Sequence, residues 1–263
     1  MFEAGFDQAA GLRGHATRGG PVLIPVASPA QPGRAYELLC ALAAHLSDQG
    51  HAVVILDGTA TESERRHSRD GSHLGLLHAL QDPSVSGLAR PADDADWLVM
   101  PAALGVQALA QTVRAGGAAV ALSRLLSPFS GGAVLLLFAP APALAELLEG
   151  LPARPLVPLL NQPQATIDAY SALKHLFMAG LAPVLMHQDM GGAVAEQSMH
   201  KTMATVQDCA LRHLGQTVEA WPCSRWGSRV LEIALHRAPA SGVPHPHYGA
   251  VLPERRAASM QWS

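Results

Sequence analysis

Lysine is nearly missing from this chain: of its 18 basic side chains in 263 residues only Lys174 and Lys201 are lysines, and the others are arginines. Together with 24 glycines and 20 prolines this is a compositional habit, and it matters only where a particular chemistry would need a lysine. Cysteine is equally scarce. Cys40, Cys209 and Cys223 are too few and too scattered for a disulfide framework, and none forms a CxxC pair of the kind that ligates zinc, so a reducing cytoplasm is the expected setting. Excess charge is lacking too. A formal net charge of -3 excludes a broad electropositive surface, and neither nucleic acid nor an anionic membrane is expected as a partner. No apolar run reaches the roughly 18 residues that cross a bilayer, and the start has no basic region followed by an apolar core, so export and membrane insertion are not expected. What is abundant is core material, 49% hydrophobic residues, enough for a globular protein of one or two domains.

Its distribution is ordered. PVLIPVAS (21–28) is a short apolar run, PAQPGRAYELLCALAAHLSDQG leads through a loop into an amphipathic helix, and HAVVILD (51–57) is a second aliphatic run ending in an acid. Strand, helix and strand in that order form a βαβ unit, whose parallel strands are buried on both faces and read as unbroken aliphatic segments. Residues 58–75, GTATESERRHSRDGSHLG, read as a polar surface loop, followed by a short helix at 76–80. Further strands are predicted at 97–102, 133–140, 155–160, 182–188 and 217–222. Helices are predicted near 103–126, 141–150, 193–214 and 225–237. Between the strands at 155–160 and 182–188, Thr166 can cap a helix with Ile167, Tyr170, Leu173, Leu176 and Phe177 on its apolar side. Alternating strands and helices with no break in composition predict a single α/β domain, a mostly parallel twisted sheet flanked by helices, over 21–237. Residues 1–20 read as a separate segment with one short helix, and 238–263 as a flexible tail.

Three stretches carry a resemblance. FDQAAGLR (6–13) puts Phe6, Ala9 and Leu12 or Arg13 on one helical face ahead of the first strand, with Asp7 available as an N-cap. PLVPLLNQPQATIDAYSALKHL (155–176) is an apolar strand followed by Pro163, Thr166, Asp168, Ala169, Tyr170 and Lys174. The third feature is the order of strand, loop, helix and a strand ending in Asp57. Together they resemble the MinD/ParA family of deviant P-loop ATPases, and within it the flagellar-number branch, FlhG or FleN. Gln164 and Ala165 depart from that branch's Glu-Pro, and 58–150 matches only loosely.

The resemblance implies a P-loop fold. It implies that the segment Phe6, Asp7, Gln8, Ala9, Leu12 and Arg13 binds a GTPase of the signal-recognition type, FlhF-like. Gln8 would orient the attacking water in that partner's site, because an amide holds a water without needing a shifted pKa. A flagellar regulator or C-ring protein is a further implied partner. It also implies a nucleotide site at Ser28, Gly33, Arg34, Ala35 and Asp57, and there the sequence departs from the family. A deviant P-loop wraps backbone N–H groups around phosphates, with two lysines and a Mg²⁺-binding hydroxyl. Ser28-Pro29-Ala30-Gln31-Pro32-Gly33-Arg34-Ala35 has two residues without an N–H, Ala30 for the signature lysine, Arg34 for the P-loop lysine, and Ala35 or Tyr36 for the hydroxyl. Phe138 or Ala139 stands where a second carboxylate is expected. A pseudo-ATPase with vestigial nucleotide residues, no catalytic residue of its own, and neither cofactor nor metal is the reading that follows. A weakly active ATP- and Mg²⁺-binding ParA/MinD-type ATPase and a polar or cell-division interaction module are the alternatives. Of thirteen histidines, His245 and His247 stand closest in sequence, but no carboxylate or cysteine lies beside them at ligand spacing, and they read as surface residues. LPERRAASMQW is only weakly amphipathic, so membrane contact is expected to be weak or absent, with recruitment to a cell pole open. Dimerisation also stays open.

Overall fold

The computed structural model describes residues 19–62, 75–89, 96–188, 192–223 and 226–236. The chain alternates β1 (Val22–Ser28), α1 (Gly33–Asp48), β2 (Ala52–Asp57), α2 (Leu76–Gln81), β3 (Trp97–Pro101), α3 (Ala103–Gly116) and α4 (Ala118–Leu126). It continues through β4 (Ala133–Pro140), α5 (Ala141–Leu148), β5 (Leu156–Pro158), α6 (Ala165–Met178), β6 (Val184–His187), α7 (Ala193–Leu214), β7 (Ala220–Pro222), α8 (Gly227–Glu232) and β8 (Leu235–His236). The strands form one eight-stranded sheet in the order β3-β2-β4-β1-β5-β6-β7, with β8 set antiparallel against the start of β1. Every other pairing is parallel.

The aliphatic runs are what a sheet buried on both faces requires. Alternate residues of β4 divide between two cores: Leu135, Leu137 and Ala139 pack with α3 to α7, while Val134, Leu136 and Phe138 pack with α1 and α8. On the second side Leu38, Leu39, Leu42 and Leu46 give α1 its buried stripe, and Trp226 and Val230 close that core.

Several predicted elements change shape. The helix expected over 103–126 is two helices, because Gly117 takes φ 85° and turns the chain between α3 and α4. Thr166 does not cap α6; the helix starts at Ala165, the position before it is Gln164, and no side chain caps it. The buried face of α6 is Ala165, Ala169, Ala172, Leu173 and Leu176, whereas Ile167 is 64% exposed. Leu173 and Leu176 are buried as the pattern predicts and Phe177 packs against the core, while Ala165, Ala169 and Ala172 complete the face in place of Ile167. The last predicted helix is shorter, and the chain turns back as β8 to cover the β1 edge that β5 leaves free at its lower end.

Candidate functional site

In a parallel sheet, helices that follow strands begin at the carboxyl edge, where connections that diverge open a crevice. Here β4 lies between β1 and β2, and β5 continues the sheet on the other side of β1. The register aligns Ser28 with Pro140 and Asp57 with Phe138, so the ends of these strands share one rim. A cleft of about 530 Å³ opens there, lined by the β1–α1 loop at Ser28, Pro29, Ala30 and Pro32, by Gly58 and Thr59 after β2, and by Pro140, Ala141 and Pro142 at the β4–α5 junction. Its far wall is one face of α6, carrying Asp168, Ser171, Ala172 and His175.

Each wall has a local cause. Gly58 lies so close to β4 that a Cβ there would come 2.8 Å from the Ala139 Cβ, while its own N–H donates to the Phe138 carbonyl at 2.7 Å. Asp57 turns inward on its own loop: its Oδ1 accepts from the Thr59 N–H at 2.9 Å and the Thr59 hydroxyl at 2.6 Å, an Asx-type turn that fixes the cleft rim. Beside it, the Tyr36 ring meets Phe138 edge to face at 5.9 Å between centroids. Burial, with Asp57 and Cys40 nearby, pushes the Tyr36 hydroxyl up to about 12. Ser28 is one of two buried polar residues among those described, 9% exposed, and its hydroxyl reaches only the neighbouring Pro29 carbonyl at 3.4 Å.

Of the residues singled out in sequence, Ser28 lines the cleft, and Gly33, Arg34 and Ala35 form the first turn of α1 behind it. Ala35 is buried; Arg34 is exposed and is not among the lining residues. Asp57 sits at the rim through its turn with Thr59. Phe6, Asp7, Gln8, Ala9, Leu12 and Arg13 lie outside the described residues, as do His245, His247 and the tail from 237. The sequence pattern marks a cap and an apolar side in this helix; the structure adds that Asp168, Ser171 and His175, spaced for one helical face, line the cleft. α1, α5 and α6 all begin at this edge without a side-chain cap. Among the described residues, the lining contains no lysine or arginine. Among them, too, no helix is long and apolar enough to cross a membrane.

No family model and no curated protein matches the chain. Among solved structures it is similar to apo McdA of Cyanothece, with a TM-score of 0.51 and 15% identity over 77% of this chain and 84% of that one. It is similar also to the ATP complex of a substituted Cyanothece McdA, with a TM-score of 0.50 and 14% identity over 79% and 83%. The MinC:MinD cell division protein complex of Aquifex aeolicus overlaps less well, with a TM-score of 0.45 and 12% identity over 75% and 78%. At such identities the likeness is one of fold: the chain is a single α/β domain, a mostly parallel sheet flanked by helices, folded like Cyanothece McdA.

Proposed function

We propose that this protein is a MinD/ParA-fold regulator of flagellar number or placement, FlhG-like, that does not turn over ATP and works by docking its N-terminal segment on an FlhF-like GTPase. The observation that carries this reading is the lining of the carboxyl-edge cleft. A triphosphate with Mg²⁺ needs successive N–H donors, cationic side chains and a metal-side hydroxyl or carboxylate. Pro29, Pro32, Pro140 and Pro142 offer no N–H, the lining has no lysine or arginine among the described residues, Asp57 is held by Thr59, and Phe138 with Tyr36 takes the place of a second acid. These residues do not fit ATP and Mg²⁺. With that site unsuited, the DQAAGLR stretch is the sequence feature whose chemistry matches nucleotide hydrolysis, through Gln8 in a partner's site.

GTP turnover by the cognate FlhF-like protein, measured with and without this chain, tests the reading. Stimulation that Gln8→Ala abolishes is expected; no stimulation, or stimulation indifferent to Gln8→Ala, would overturn it. One observation favours a second reading, in which ATP binds weakly, as the Cyanothece McdA complex holds ATP on a similar fold. α1 and α5 begin at the cleft without side-chain caps, and N–H groups at helix starts attract anions. Calorimetry with ATP and Mg²⁺ separates the two.

A further inference from the structure

One cleft wall, Gly58 and Thr59, belongs to a loop that is tied to the rest of the molecule in an unusual way. The opening N–H groups of an α-helix have no partner within the helix. In α3 they are all taken by the stretch from Asp57 to Glu62. Ala102 N–H donates to the Asp57 carbonyl at 2.8 Å and Ala103 N–H to the Ala60 carbonyl at 3.1 Å. Leu104 N–H donates to Glu62 Oε2 at 2.6 Å and Gly105 N–H to Glu62 Oε1 at 2.9 Å. The same Oε1 accepts from Leu77 N–H at 3.2 Å, at the start of α2. The first bond inside α3 is the next one, from Val106 N–H to the Ala102 carbonyl at 2.8 Å. Gly75 seals the arrangement, because a Cβ there would run into the Glu62 side chain.

We propose that Glu62 is a latch: its carboxylate holds three amides at the starts of α2 and α3, and through them keeps the Gly58–Thr59 wall of the cleft in place. Hydrogen bonds to a carboxylate are roughly twice as strong as those between neutral groups, and partial charges of the helix start favour an anion at this position. Among the described residues no other side chain accepts from these three amides: the backbone carbonyls of Asp57 and Ala60 also tie the loop from β2 to the start of α3, and Glu62 adds the side-chain bonds that join it to α2 and α3 together. The latch concerns the cleft assigned above, yet its signature lies in the protein's own amides. A failure of the GTPase reading leaves it standing, and its own failure leaves that reading untouched.

Amide hydrogen exchange by NMR on the full chain tests it, with Glu62→Ala and Glu62→Gln beside the unaltered protein. In Glu62→Ala the amides of Leu77, Leu104 and Gly105 are expected to exchange about ten- to a hundredfold faster. Thr59 and Gly58 should accelerate with them, while Leu135 and Ile24 in the sheet keep their protection. Glu62→Gln retains the shape and one accepting oxygen; it should fall between the two and serves if the alanine variant does not fold. Sodium acetate added to Glu62→Ala should restore protection, whereas sodium chloride at equal ionic strength should not, since only a carboxylate replaces the missing acceptor. Faster exchange at Leu104 and Gly105 with Gly58 and Thr59 unchanged would reduce Glu62 to an ordinary helix cap. Absence of acetate rescue would likewise overturn the latch, as would unaltered exchange at Leu77.

Discussion

Tyr36 and Gly58 show how single residues shape the rim. Since Tyr36 in the folded protein holds its proton to about pH 12, above the ordinary tyrosine value of 10.0, the unfolded chain gives up that proton first as pH rises. Its contribution is therefore complete below about pH 10 and is lost on the way to about pH 12. Denaturant unfolding across that alkaline window should show stability falling in the unaltered protein, and Tyr36→Phe should remove this part of the decline. An equal decline in both would place the hydroxyl elsewhere than beside Phe138 and Asp57. Gly58 is a matter of space. Gly58→Ala puts a Cβ 2.8 Å from that of Ala139 and 3.0 Å from the Phe138 carbonyl oxygen, both rigid, and should cost about 1–3 kcal/mol in urea unfolding. None of this is legible in sequence. Glu62 is 42 and 43 residues from two of its partners, and the closeness of Gly58 to β4 exists only once β4 is inserted beside β2.

Elements are legible in sequence where burial is uniform and poorly so where it is not. β1, β2 and β4 stand out as aliphatic runs because a parallel strand covered on both faces has nothing polar to alternate with, and α7 is equally plain over 193–214. The α3–α4 break is hidden because Gly117 sits in an alanine- and valine-rich stretch that keeps helical spacing on both sides. Gly117→Ala should test that turn: at φ 85° an L side chain is strained, so a loss of about 1–2 kcal/mol is expected in thermal or urea unfolding. At the other end of the sheet, Glu219 joins the approach to β5 with β7. Its carboxylate accepts from the Trp221 indole N–H at 3.1 Å and from Arg154 at 2.8 Å, and these bonds, the indole's first, hold its pKa below the usual glutamate value. Arg154 and Arg229 lie over the Trp221 ring at 5.5 and 5.4 Å. A depressed carboxylate stabilises the fold above its ordinary pKa and loses that contribution as pH falls through the folded value. The stability difference between the unaltered protein and Glu219→Gln should thus be present at neutral pH and vanish in acid. A difference that persists in acid would assign the effect to packing on Trp221.

At the scale of the molecule, fold class and the position of the site follow from the alternation of strands and helices, while strand order does not. No local pattern says that β4 enters between β1 and β2, and that insertion is what brings Pro140 and Phe138 to the rim. The segment before Gly19 is attached at the amino edge of β1, and the cleft lies at its carboxyl edge, roughly 20 Å away at about 3.3 Å per strand residue. If the N-terminal segment acts in a partner's site, Asp168→Asn in the cleft wall should leave stimulation of the partner's GTP turnover unchanged, and Gln8→Ala should not. On the reading proposed above, this chain, folded like Cyanothece McdA, does not turn over ATP in its own cleft. Calorimetry of the full chain with ATP and Mg²⁺, followed by assay of released phosphate, tests it most directly. No binding heat at millimolar nucleotide and no phosphate above the protein-free control is the predicted result; saturable binding accompanied by turnover would contradict it.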